Sequence, residues 1–180
     1  MQTISKFIYH RLLGWNFTGF MKFDSVKKAV IIAAPHTSWH DFYIGVFLRS
    51  VIQMEANFVG KESLFNPLTA WFFRSLGGTP IKRNANEKQV DAIARLFTNR
   101  DVFRIVLAPE GTRKKVDTWR TGFYYIAKKA NVPIVMITFD FENKVNCISE
   151  PFFPTDDIDA DFKFMRSFFE CVKGKVSKYS

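Results

Sequence analysis

The most chemically suggestive stretch of this chain is Pro35-His36-Thr37-Ser38-Trp39-His40-Asp41. Residues 29–34, just before it, are small or branched and wholly apolar, which reads as a buried strand. Pro35 ends that run and restricts Ala34 to an extended backbone. Thr37 or Ser38 is placed to cap a helix running to about Gln53. In sheets built from such strands, ligands gather outside the carboxyl ends. His36 then stands at a strand exit and Asp41 in the first turns of a helix. Asp41 can accept the proton on one imidazole nitrogen and leave the other basic. This is a general base with its orienting acid but without a protein nucleophile, a place that a substrate hydroxyl can take. A bland reading competes, because a histidine five residues before an aspartate is a common accident. His36 and His40 are also four apart, as in a helical zinc site. The glutamate of that motif is absent, however, and His10 is the one remaining histidine, so no metal is expected.

A second stretch, Leu107-Ala108-Pro109-Glu110-Gly111-Thr112-Arg113, begins at the end of a run of strand length, residues 102–108, apolar apart from Arg104. Gly111 permits an unusual backbone angle or a close ligand approach. Arg113 offers a planar fork suited to phosphate. Glu110 can hold that fork or bind a substrate hydroxyl. Taken alone, the segment also reads as a solvated turn with an internal Glu–Arg pair.

The elements that must position these residues follow from periodicity. Residues 3–15 set Ile4, Phe7, Ile8, Leu12 and Trp15 at spacings of three and four, an amphipathic helix with cations at its margins. Strands are expected near 57–60, 79–82, 102–108, 133–141 and 145–148, the last two as a hairpin. Helices are expected near 67–75, 86–99 and 122–130, with Gly77-Gly78 as a break. The acidic stretch 156–161 opens a last helix carrying Phe162, Met165, Phe168, Phe169, Val172 and Val176 on one face. Strands alternating with helices, several of the strands apolar throughout, predict an α/β fold. It is a single layered domain over residues 1–180, with a mainly parallel central sheet flanked by helices.

The chain of 180 residues carries a formal charge of +9 and 21 phenylalanines. Such a charge draws it to anionic partners. No basic run exceeds three residues and no nucleic-acid-binding motif is present, so an anionic membrane surface is expected and nucleic acid is not. Cys147 and Cys171 show no metal or redox spacing and fit free thiols in a reducing compartment. No stretch approaches the roughly 18 apolar residues of a spanning helix, and no signal peptide is evident. The expected location is cytoplasmic and peripheral, on the inner face of the membrane, with residues 1–20 as a docking helix.

Together the two stretches resemble the glycerophospholipid acyltransferases, of which 1-acylglycerol-3-phosphate acyltransferase is the usual example. His36 and Asp41 match that family's Asn-His-x4-Asp motif, with Pro35 in place of the Asn. Gly78, Ile81 and Arg83 are similar to its second motif, and Lys61 to the lysine that opens that region. Glu110-Gly111-Thr112-Arg113 reproduces the third motif, and Val132-Pro133-Ile134 resembles the fourth. The resemblance runs from about residue 28 to 150. It implies direct transfer of a fatty acyl group from acyl-CoA or acyl carrier protein to a lysophospholipid hydroxyl, without cofactor or metal. It implies that His36 is the base, that Asp41 orients it, and that Lys61, Arg83, Glu110, Gly111, Thr112 and Arg113 bind substrate. The default acceptor is 1-acylglycerol-3-phosphate. A different lysolipid, such as an acyl-amino-acid lipid, and a non-catalytic basic membrane-binding module are the alternatives.

Overall fold

The apolar runs lie at the centre of one sheet. In the computed structural model, which describes residues 2–81 and 89–179, the strands are β1 (Asn16–Gly19), β2 (Lys28–Ala34), β3 (Asn57–Lys61), β4 (Gly78–Ile81), β5 (Phe103–Leu107), β6 (Ile134–Thr138) and β7 (Val145–Ile148). Their order is β1-β7-β6-β2-β5-β3-β4. Neighbours pair in parallel except β6 and β7, the expected hairpin. The fold is therefore α/β with a mostly parallel sheet. The helices are α1 (Gln2–Lys6), α2 (His40–Val51), α3 (Ala70–Ser75), α4 (Gln89–Thr98), α5 (Gly122–Ala130) and α6 (Ile158–Phe168).

β2 shows why a central parallel strand must be apolar on both sides. Its alternate side chains enter two different cores. Ala29, Ile31 and Ala33 pack with Tyr9, Ile44 and Leu48 on one face. Val30 and Ile32 pack with Phe97, Tyr124 and Met165 on the other.

The connections explain where a site can form. β2 leads through α2 to β3, in one direction along the sheet. β5 leads through α5 to β6, in the opposite direction. Right-handed crossovers in opposite directions put α2 and α5 on opposite faces. β2 and β5 are adjacent and parallel, with Ile32 in register with Leu107. Their outgoing chains therefore diverge and leave a crevice at their carboxyl ends, the switch point where ligands bind in such sheets.

Several elements differ from the sequence expectation. The N-terminal helix runs only to Leu12, and its second half, Phe7–Leu12, is π-helical. Trp15 lies beyond it and is buried, as is Tyr9, whereas Ile4, Phe7 and Leu12 are exposed. The expected single apolar face is thus split between core and solvent. The N-cap of α2 is Trp39 without a side-chain cap; the Thr37 hydroxyl accepts the Val176 N–H and the Ser38 hydroxyl bonds His40 Nδ1 instead. Gly78 opens β4 and does not break the chain there; only Gly77, at φ +86, makes the turn. β1 carries no signal that periodicity detects, being four residues with one apolar side chain. α6 stops at Phe168, so Val172 and Val176 are not on its face. Cys171 adopts φ +65, and the chain beyond it turns back toward the crevice. There the Val176 N–H donates to Thr37 Oγ1 at 3.2 Å. Among the described residues no helix is long and apolar enough to cross a membrane.

Candidate active site

His36 and Asp41 meet as the spacing predicts. His36 Nδ1 lies 2.9 Å from Asp41 Oδ2. The same oxygen accepts the backbone N–H groups of Thr37 and Ser38, each at 2.9 Å. The loop thus closes on a carboxylate in the first turn of α2. Asp41 is 2 % exposed, while the His36 side chain keeps 27 % of its surface open. With Nδ1 engaged, His36 Nε2 has no protein partner among the described residues. Asp41 Oδ1 is buried and also has none.

The loop after β5 reaches the same place. The His36 N–H donates to Glu110 Oε1 at 3.0 Å, while Glu110 Oε2 is buried without a partner. Glu110 therefore holds the backbone of the base, and the expected Glu110–Arg113 pair does not form. Burial pushes the Glu110 carboxyl up, and the His36 N–H bond pulls it back in part. Gly111 has φ +65, and a Cβ there would come within 2.6 Å of Arg120 Cδ. The turn also holds a Gly111 N–H bond to Ala108 O (3.1 Å) and an Arg120 N–H bond to Pro109 O (2.8 Å). The left-handed backbone angle thus favours glycine, and any larger residue would also have to displace the Arg120 side chain. Thr112 Oγ1 receives a long 3.4 Å bond from the Lys114 N–H. Arg113 stands exposed in this loop.

The raised Glu110 carboxyl has a consequence for stability. A group whose folded-state pKa exceeds its unfolded value binds its proton more tightly in the folded protein. Its contribution is full below the ordinary glutamate value of 4.5 and is lost as pH rises through the raised folded value. Urea midpoints across a pH series should show that decline in the wild type and not in Glu110→Gln. A pH-independent difference between the two proteins would contradict this account.

His36 and Asp41 also line an apolar cavity of about 260 Å³. Its wall follows α2 from Asp41 to Arg49, about 12 Å of helix at 1.5 Å per residue. Asp41, Gly45 and Arg49 are spaced by four and share this wall. That i, i+4, i+8 pattern is legible in the sequence. Val106 and Leu107 of β5 and Phe58 of β3 complete the enclosure. At the Arg49 end, the guanidinium donates to Leu76 O and, at 3.2 Å, to Ala56 O. Burial lowers the Arg49 pKa, and nearby Glu55 raises it. A second cavity, of about 290 Å³, is lined by Glu110 together with Pro35, Trp119, Arg166 and Tyr179.

The remaining sequence candidates are less defined. Lys61 ends β3 in register with Ile81, but its side chain is outside the described ones. Arg83 lies outside the described residues. His40 Nδ1 bonds Ser38 Oγ at 2.7 Å and the ring stacks on Trp39, so it does not join His36 in a pair. Chemically, the arrangement can take a proton from a hydroxyl at His36 Nε2, beside an apolar cavity able to hold a hydrocarbon chain.

Comparison with known proteins agrees with that chemistry. A family profile described as Acyltransferase matches residues 16–140, more than half of the chain. The chain is 27% identical over 115 residues to BAT2 of Brassica napus, a chloroplastic 1-acyl-sn-glycerol-3-phosphate acyltransferase. That match covers 61% of this chain and 33% of the relative. It is 28% identical over 138 residues to the chloroplastic LPAT1 of Arabidopsis thaliana, which carries the same activity in its name; the match covers 72% and 37% of the two chains. The chain thus spans about a third of the length of these relatives.

Proposed function

The chain belongs to the acyltransferase family, and from that premise we propose that it moves a fatty acyl group from a thioester donor to a hydroxyl of a lysophospholipid-like acceptor. The donor is acyl-CoA or acyl carrier protein, and the acceptor is 1-acylglycerol-3-phosphate, the substrate class in the names of the two plant relatives. The observation that carries this reading is the His36–Asp41 pair opening on an apolar cavity, with Nε2 left over for the acceptor. His36 Nε2 takes the hydroxyl proton, and the oxygen attacks the thioester carbonyl carbon. The carbon–sulfur bond then breaks, and the thiolate leaves with the proton from the imidazolium. The products are an ester and a free thiol. The protein acts at the membrane surface, where both a one-chain acceptor and a two-chain product reside.

In this reading Lys61, Arg83 and Arg113 bind the anionic headgroup, Glu110 fixes the His36 backbone, and Gly111 and Thr112 shape the loop. The test is thiol release from acyl-CoA and from acyl carrier protein across a panel of lysolipids. Release is expected only when acceptor is present, and most strongly with 1-acylglycerol-3-phosphate. Arg113→Ala should raise KM for the anionic acceptor by about 10- to 100-fold, the equivalent of a lost hydrogen bond to a charged group, with a smaller effect on the donor. Equal effects on both substrates would remove Arg113 from headgroup recognition. Release with an acyl-amino-acid lipid alone would reassign the acceptor. Vesicle adsorption without any thiol release would make the protein a non-catalytic binding module.

A further inference from the structure

Exposed apolar side chains are concentrated on one layer of the molecule. α2 lies over one face of the sheet, and α3 follows in the same direction along the sheet, so right-handed connections place both on that face. α1 joins them through Ser50 Oγ, which donates to Ser5 Oγ at 2.8 Å. α1 and its π-helical continuation expose Ile4, Phe7 and Leu12. α3 and the turn before it expose Leu68 (85 %), Trp71 (71 %) and Phe72 (47 %). Asn66 fixes that turn, its Oδ1 accepting the N–H groups of Leu68 and Thr69 at 3.0 and 3.1 Å. Single exposed apolar residues are ordinary, but an apolar cluster held out by a built turn marks an interaction surface.

Two observations identify the partner. The first is charge. Lys6, Arg11 and Arg74 are exposed on these segments. The one carboxylate within the three helices and the π-helical segment is Asp41, which is buried; Glu55 and Glu62 lie in the connections. The second is continuity with the cavity. Ring contacts run from Trp71 to Phe72 (5.9 Å), Phe73 (5.5 Å), Phe58 (6.5 Å) and Phe42 (5.8 Å). Phe58 and Phe42 line the cavity that holds His36. A protein seated on this patch would cover an apolar route into the cavity. A lipid surface would cover the patch and supply chains along the route.

We propose that Leu68, Trp71 and Phe72, with Arg74 beside them, insert into the interfacial zone of an anionic bilayer and set the apolar cavity against the membrane. This names the docking surface for the function proposed above and rests on that reading, but its test does not depend on turnover. The full-length protein is sedimented with phosphatidylcholine vesicles and with phosphatidylcholine–phosphatidylglycerol vesicles, as wild type and as the L68S/W71S/F72S variant. None of these side chains lines the cavity, Leu68 and Trp71 are mostly exposed and Phe72 is half-buried, so the variant should stay folded with only a small drop in Tm. The wild type should bind the anionic vesicles preferentially and lose binding as salt rises. The variant should bind them at least about tenfold more weakly. It should keep its activity on a short-chain soluble acceptor and lose activity on vesicle-borne acceptor. Equal vesicle binding by wild type and variant overturns the inference. So does a wild type that binds neither vesicle, or one that is a dimer in lipid-free solution where the variant is a monomer, since the patch would then join two copies of the chain. If vesicle binding fails in the variant but no thiol is ever released by the wild type, the docking surface stands and the catalytic reading falls.

Discussion

His36→Ala is expected to fold normally and to lose most of its acyl transfer. Removing a general base typically costs ~10²–10⁴-fold in rate. The geometry explains why the fold should survive. The bond to Glu110 comes from the His36 backbone, and the loop is closed by Thr37 and Ser38 donating to Asp41. None of these uses the imidazole. The loss should therefore fall on kcat, with little change in KM or in the urea midpoint. His40→Ala is the control, because its ring is tied to Ser38 and stacked on Trp39. It should keep most activity. Comparable loss in both variants, with inhibition by a chelator, would replace the base by a metal site.

The dyad was readable in the sequence because both of its members belong to one short segment. A strand exit, a tight loop and a helix start leave few ways to arrange His36 and Asp41. The central strands were readable for a related reason, since a strand buried on both faces must be apolar at every position, as β2 is. What local pattern could not supply is contact between distant segments. Glu110 looked like the natural partner of Arg113, three residues on. Its actual partner is the His36 N–H, brought close because β2 and β5 are neighbours in the sheet. Spacing misleads in the tail for the same reason. Phe162, Met165, Phe168, Phe169, Val172 and Val176 keep helical spacing, but the helix ends at Phe168; Phe169 still packs on the core, while Val176 bonds back to the active-site loop. The N-terminal segment shows the same limit. Its apolar residues looked like one face, whereas Tyr9 and Trp15 complete the core and Ile4, Phe7 and Leu12 do not. Deleting residues 1–15 would thus remove core side chains along with the exposed ones, so substitution of exposed residues is the cleaner probe of docking.

Asp41→Asn should separate orientation of the base from its electrostatic support. In an asparagine one terminal atom is an acceptor and the other a donor. The Oδ2 position faces two backbone N–H groups as well as His36 Nδ1. An NH₂ group there would meet two donors head on, so the amide oxygen must take that position. His36 then keeps Nδ1–H and a basic Nε2, and the tautomer is preserved. What disappears is the negative charge beside the imidazolium formed as the hydroxyl is deprotonated. A charge pair about 4 Å apart near a protein surface interacts by about 4 kcal/mol, which sets an upper limit of roughly 10³ on the loss in kcat. The amide NH₂ would occupy the Oδ1 position, which is buried and has no partner. The wild-type carboxylate already leaves an unpartnered atom there, so the stability cost should come from weakening the three bonds to Oδ2 when the acceptor becomes neutral, about 1 kcal/mol each. Asp41→Ala removes the acceptor for all three donors and frees both loop and ring, so its activity should approach that of His36→Ala. The expected order in kcat is wild type, then Asp41→Asn, then Asp41→Ala, with KM for the donor nearly constant. If Asp41→Asn is as inactive as Asp41→Ala, the amide has turned and the wrong tautomer has won, so the two backbone N–H groups do not fix the acceptor.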